Sequence, residues 1–132
     1  MLKLTKKVEY ALIALSHMSD KDKEEISNVS EIAQTYMIPQ EILAKTLQHV
    51  AHQGMIISVL GSKGGYKLSS HVKNMNLMQI IEILDGPVGL IDCSINEECA
   101  QLDRCNIRKP LRAINDRIKS TLSEIKFRDL TY

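Results

Sequence analysis

The sequence predicts a mainly α-helical chain with one small β-hairpin and a long helix near its end. Three observations predict it. Apolar residues recur at three- and four-residue steps in five separate segments. One β-prone run, Met55-Ile56-Ile57-Ser58-Val59-Leu60, is followed by the turn Gly61-Ser62-Lys63-Gly64-Gly65 and a second short run, Tyr66-Lys67-Leu68. The last periodic segment, from Pro110 to about Glu124, is long and amphipathic.

The elements follow in order. The first helix spans Thr5 to about Met18, with Thr5 as its N-cap and Val8, Ala11, Leu12 and Leu15 on its apolar face. Lys3, Lys6 and Lys7 crowd its start, the unfavourable end of the helix dipole. They read as a solvated terminus or as phosphate contacts. Ile26 to Val29 reads as a short strand or turn. Ser30 is expected to cap a second helix, Glu31 to about Tyr36. After the turn at Met37-Ile38, Pro39 suits the first position of a third helix. Ile42, Leu43, Thr46, Leu47 and Val50 form one face of that helix, and Gly54 stands just past its end.

A short helix, a tight turn and a longer helix make a helix-turn-helix pattern, and the hairpin after it is a wing. Together they read as a winged-helix DNA-binding domain, with the third helix entering the major groove. That helix offers Gln40, Glu41, Lys45, Gln48, His49 and His52 outward. Gln suits adenine, Lys suits guanine and Glu accepts from cytosine. The expected DNA contacts are Lys3, Lys6, Gln40, Glu41, Lys45, Gln48, Ser62, Lys63 and Tyr66.

Ser69 to Met75 reads as a polar linker, and Asn76 caps a fourth helix, Leu77 to Leu84, stopped at Asp85-Gly86-Pro87. In the last helix Leu111, Ile114, Ile118, Leu122 and Ile125 form the stripe, while Arg112, Asp116, Arg117 and Lys119 face away. Such a stripe is expected to pack on a second copy, giving a two-fold dimer that matches a palindromic operator. Phe127 to Tyr132 reads as a short tail. The organisation is a DNA-binding domain over 1–72, a linking helix and cysteine loop over 73–105, and a dimerisation helix with tail over 106–132.

Composition bounds the function. The chain has 132 residues, 44% of them hydrophobic, with one Phe and no Trp, so its core is aliphatic. A formal net charge of +1 leaves any basic patch local. No apolar run approaches the roughly 20 residues of a membrane span, and the start lacks a signal-peptide pattern. A cytoplasmic protein with reduced thiols is expected, without a membrane partner. No nucleophile–base pair, phosphate-binding loop or acid–base carboxylate pair points to an enzyme.

All three cysteines, Cys93, Cys99 and Cys105, lie on one polar, acidic loop with five residues between neighbours. Three thiols exclude a complete disulfide framework. The pattern suggests a soft-metal site: an iron–sulfur cluster, zinc, or redox thiols without metal. A four-coordinate site lacks one ligand.

With Leu2-Lys3-Leu4-Thr5, Tyr10-Ala11-Leu12, the wing Gly61 to Leu68, Leu77 to Gly86 and the three cysteines in view, the chain resembles the Rrf-two family of winged-helix transcription regulators. That family includes iron–sulfur assembly regulators and nitric-oxide sensors, and the likeness covers the whole chain. It implies a homodimeric repressor or dual regulator with crossed C-terminal helices, binding double-stranded DNA. It also implies a two-iron or four-iron cluster on Cys93, Cys99 and Cys105. In the assembly regulators a histidine three residues after the last cysteine is the fourth ligand; here Arg108 stands there and cannot ligate. In the nitric-oxide sensors an aspartate of the other subunit's first helix serves, and the matching position is Glu9. Asp92, Glu98, Asp103, a bound thiol or water are the alternatives. The implied function is a regulator controlled by cluster status, acting on cluster assembly genes. A nitric-oxide-sensing repressor and a zinc- or thiol-regulated DNA-binding protein are the other readings.

Overall fold

The computed structural model describes residues 3–22, 25–90 and 104–130. Cys93 and Cys99 lie outside the described residues, as do Asp92, Glu98 and Asp103.

Helix α1 covers Lys6–Ser19. Thr5 caps it, its Oγ1 accepting from the Val8 N–H at 3.3 Å. Val8, Ala11, Ala14, Leu15 and Met18 are buried at helical spacing, so α1 packs against the third and fourth helices. Helix α2 covers Val29–Tyr36 and begins earlier than the sequence suggested. Its cap is Asn28, whose Oδ1 accepts from the Glu31 N–H at 2.7 Å; Ser30 instead accepts from the Gln40 amide at 3.0 Å. The chain leaves α2 through Met37 in the left-handed region (φ 55°), and the Ile38 N–H returns to the Ala33 carbonyl at 2.9 Å.

Helix α3 covers Gln40–His52, with Pro39 one residue before it rather than in its first turn. Leu43, Leu47 and Val50 are fully buried and Thr46 nearly so. Ile42 is the correction: it leaves this face and stands 49% exposed. Gly54 (φ 81°) ends the helix and turns the chain into the hairpin.

Strands β1 (Ile56–Val59) and β2 (Gly65–Leu68) pair antiparallel, Ile56 opposite Leu68 and Val59 opposite Gly65. The wing is also tied to the segment before α2. Ser27 and Tyr66 exchange two backbone hydrogen bonds of 2.8 and 2.7 Å. Gly65 permits this approach, since a Cβ there would stand 2.4 Å from the Ser27 carbonyl oxygen. At the base, Ser69 donates from its hydroxyl to the Gly54 carbonyl at 2.8 Å.

The expected linker after Ser69 is a 3-10 helix, Ser70–Asn74, that buries Val72. Helix α4 covers Leu77–Asp85 and starts with a reciprocal capping box: Asn76 Oδ1 accepts from the Gln79 N–H at 2.8 Å, and Gln79 Oε1 from the Asn76 N–H at 2.9 Å. Helix α5 covers Arg108–Glu124 and packs on α4. Lys119 turns toward α4, 3.7 Å from Glu82, rather than away from the fold. Buried Asn115 accepts from the Leu90 N–H at 3.0 Å, which satisfies a polar group that would otherwise be costly to bury.

The expected tail is part of the core. Residues Phe127–Leu130 form a 3-10 turn, and Phe127 is fully buried in the cluster with Val8, Leu15, Val72 and Ile80. Its N–H donates to the Met75 carbonyl at 2.8 Å, and the Leu77 N–H to the Ile125 carbonyl at 2.8 Å. Phe127 is the largest of the fully buried side chains, and its ring has no polar group to keep in water.

Candidate nucleic-acid interface and sensor site

Burial of Leu43, Leu47 and Val50 sets the rotation of α3 about its axis. Glu41, Lys45, Gln48 and His52 then stand exposed on the opposite side. Gln40 is exposed too, but its amide is bonded to Ser30, so it is oriented from α2. His49 is half-buried, its Nε2 covered and without a hydrogen-bond partner.

In the wing, Ser62 and Lys63 are exposed at the tip. Tyr66 is half-buried and packs against the core, so its ring supports the wing's base. Lys3 is exposed, and Lys6 is exposed while paired with Glu9 at 3.0 Å. The hydrogen bond that Lys6 donates to Glu9, and after it the Glu9 charge, raise the Lys6 pKa.

Sequence reasoning missed a side-chain network joining α1 to α2. His17 Nε2 lies 2.7 Å from Glu31 Oε2, and its Nδ1 lies 2.8 Å from the Tyr36 hydroxyl. Lys21 donates to the same Glu31 oxygen at 2.6 Å. The Lys21 bond, and after it the His17 bond, hold the Glu31 carboxyl below its ordinary value. Fourteen residues separate His17 from Glu31, so no local spacing signals the pairing. The network ties α2 to the end of α1, and Ser30 of α2 in turn holds the Gln40 amide.

On the sensor side, Cys105 is a half-buried free thiol. It opens on a pocket of about 400 Å³ lined with Asn106, Arg108, Lys109 and Arg112. Arg108, Lys109 and Arg112 give this pocket a basic lining beside the thiol. Among the described residues no three of His, Cys, Asp and Glu stand together as a metal site; Cys93 and Cys99 are outside the described residues. Glu9 is on α1, its side chain 41% exposed and its partner Lys6 more exposed still. On α5 the apolar stripe forms a shallow groove of about 370 Å³ lined by Ile114, Arg117, Ile118, Thr121 and Leu122. Arg117, expected to face away, therefore borders the stripe. Among the described residues no helix is long and apolar enough to cross a membrane.

Comparison with known proteins places this architecture. The family profile described as Rrf2, iron-dependent transcriptional regulator, matches residues 4–132. The HTH-type transcriptional regulator NsrR of Oceanobacillus iheyensis is 30% identical over 92 residues, which cover 70% of this chain and 63% of that protein. The matched stretch thus spans a little under two thirds of that relative. The structure of CymR, the global cysteine regulator of B. subtilis, superposes with a TM-score of 0.78 at 26% identity, covering 98% of this chain and 96% of that one. The T. potens IscR structure gives a TM-score of 0.75 at 19% identity, covering 98% and 85%, a likeness of fold. Helix-turn-helix, hairpin wing, long α5 and a family match over nearly the whole chain agree: the chain belongs to the Rrf2 family, as a winged-helix DNA-binding transcriptional regulator and not an enzyme.

Proposed function

We propose that this regulator is a homodimer whose affinity for a palindromic operator is set by an iron–sulfur cluster on Cys93, Cys99 and Cys105. The observation that carries the reading is Cys105: of three evenly spaced thiols, this one opens into a pocket lined by Arg108, Lys109 and Arg112 beside the start of α5. Glu9 of a second copy is the fourth ligand. Its present bond to Lys6 is an exposed ion pair worth little, so the carboxylate is available at small cost. When bound, the cluster supplies a redox- and iron-sensitive centre of two or four irons.

The chain's own residues do the rest. The open stripe of Ile114, Ile118 and Leu122 receives the same stripe of the second copy. Two α3 helices then face successive major grooves, with half-sites about one helical turn apart. Gln40, Glu41, Lys45 and Gln48 address base edges; Lys3, Lys6, Ser62 and Lys63 address phosphates, with Tyr66 behind the wing. The signal is cluster or iron status in the cytoplasm, where thiols stay reduced, and the targets are cluster assembly genes. Nitric oxide is the alternative signal, consistent with a carboxylate at Glu9.

A second reading, control by thiol chemistry without a cluster, is favoured by the similarity to the B. subtilis cysteine regulator. The experiment is an absorbance spectrum of protein purified without oxygen, with iron and acid-labile sulfide assayed on the same sample. Iron and sulfide in near-equal amounts support the first reading, and titration with nitric oxide or air then separates the signals. A colourless protein carrying zinc or only free thiols overturns it. Glu9→Ala that keeps both the spectrum and cluster-dependent DNA binding removes Glu9 from the ligand set.

A further inference from the structure

We infer that Ile42 is a specificity-determining residue of the reading helix, and that its side chain takes the 5-methyl group of a thymine in the major groove. The inference rests on α3 being the element that enters the groove.

By periodicity Ile42 belongs with Leu43, Thr46, Leu47 and Val50 on the core face, yet those four are buried and Ile42 is 49% exposed. On a helix of 3.6 residues per turn it lies about 60° around from Lys45 and about 100° from Leu43. It therefore stands on one shoulder of the outer face. Gln40, bonded to Ser30, turns the other flank toward α2. The centre between them is polar: Glu41, Lys45 and Gln48.

Folding uses only part of the isoleucine at this position, since 49% of it stays exposed. A half-exposed helical site gains little core packing, and a β-branched side chain forms helix less well than Ala, Leu, Lys or Glu. Recognition gives a use for the rest. Ile42 is the third residue of α3, in the half of a reading helix that reaches base edges. Its neighbours Glu41 and Lys45 carry hydrogen-bonding groups, which read donors and acceptors but not a methyl group. The thymine methyl is the apolar feature of the major groove, and an aliphatic side chain is its complement. The Ile42 backbone is also held, because its carbonyl accepts from the buried Thr46 hydroxyl at 2.8 Å. The side chain thus springs from a fixed point.

The test uses the full-length chain purified without oxygen. Binding sites are enriched from a random duplex pool, and each thymine of the selected site is replaced singly by deoxyuridine, which removes only the methyl. For the wild type, one thymine per half-site loses roughly two- to fivefold in affinity on this change, the size of one methyl-scale apolar contact. Ile42→Ala binds thymine and uracil equally at that position and keeps its other preferences. Lys45→Ala binds more weakly overall and keeps the thymine preference. A wild-type profile with no methyl-sensitive thymine overturns the inference without recourse to any variant. So does an Ile42→Ala profile unchanged from wild type. If no sequence enriches from the pool, the reading of α3 itself fails and Ile42 with it.

Discussion

In α3, Leu43, Leu47 and Val50 are fully buried; in α5, the equivalent stripe leaves Ile114 48% exposed and Ile118 and Leu122 partly covered, while Asn115 is buried. Both segments show apolar residues at three- and four-residue steps. They differ in neighbours. Helix α3 is packed by α1, α2 and β1, whereas α5 rests on α4. Periodicity states that a helix has a face to cover. Whether the cover comes from the same chain is decided by how many elements can be brought to it. Here the winged-helix elements close on one another, and α5 leaves an apolar groove open along Ile114, Ile118 and Leu122.

This contrast can be broken from either side. The largest effect is expected for Leu47→Ala, which should lower unfolding free energy by about 2–5 kcal/mol through lost burial and a residual cavity. Chemical denaturation measures it, and the loss should not depend on protein concentration. Ile118→Glu is the counterpart on α5. With the proposed α5 interface, it should shift sedimentation from dimer to monomer while leaving the far-ultraviolet circular dichroism of the chain helical. A variant that stays dimeric would place the interface elsewhere.

The joints of the closed half sharpen the comparison. Gly65→Ala forces a Cβ to within 2.4 Å of the Ser27 carbonyl oxygen, so the wing must part from the segment before α2. A loss of about 1–3 kcal/mol is expected, the range for a misfit in a packed site. Hydrogen exchange should show faster exchange at Ser27 and Tyr66, whose amides bond each other's carbonyls. Met37→Gly should act in the opposite direction. Met37 holds φ 55°, which an L side chain adopts at a cost, and a gain of up to about 1 kcal/mol is expected in a melting experiment.

The smallest effect concerns pH. The folded-state pKa of Glu31 lies below its ordinary value of 4.5 because Lys21 and then His17 stabilise the carboxylate. Its contribution is therefore present above that ordinary value and is lost as pH falls through the lower folded one. The stability gap between wild type and Glu31→Gln should be largest above pH 4.5 and should close on acidification. Partial exposure of the side chain keeps the gap modest. A gap that is constant down to pH 2 or so would show that the network does not act through charge.

Local chemistry was enough for many features. The Thr5 and Asn76 caps, the Gly54 and Gly86 stops, the paired strands and the glycine-rich tip are each set by groups within a few residues, and all stand where the sequence placed them. Two neighbouring cap formers, Asn28 and Ser30, could not be told apart in this way. The choice falls to Asn28 once Ser27 pairs with Tyr66 and Ser30 is taken by Gln40. Of the candidate site residues, Glu41, Lys45, Gln48 and Lys63 are exposed as their spacing suggested, while Lys6 and Glu9 pair with each other and Tyr66 turns toward the core.

By itself the sequence determined the order of the five α-helices and the hairpin, and the helix-turn-helix with its wing, because caps, turns and periodicity act over a few residues. Tertiary structure alone decided that Phe127 enters the core, that Gly65 serves a third backbone segment, that His17 meets Glu31, and that Ile42 faces outward. Each depends on segments far apart in the chain competing for the same space, and a linear pattern carries no record of which of them wins.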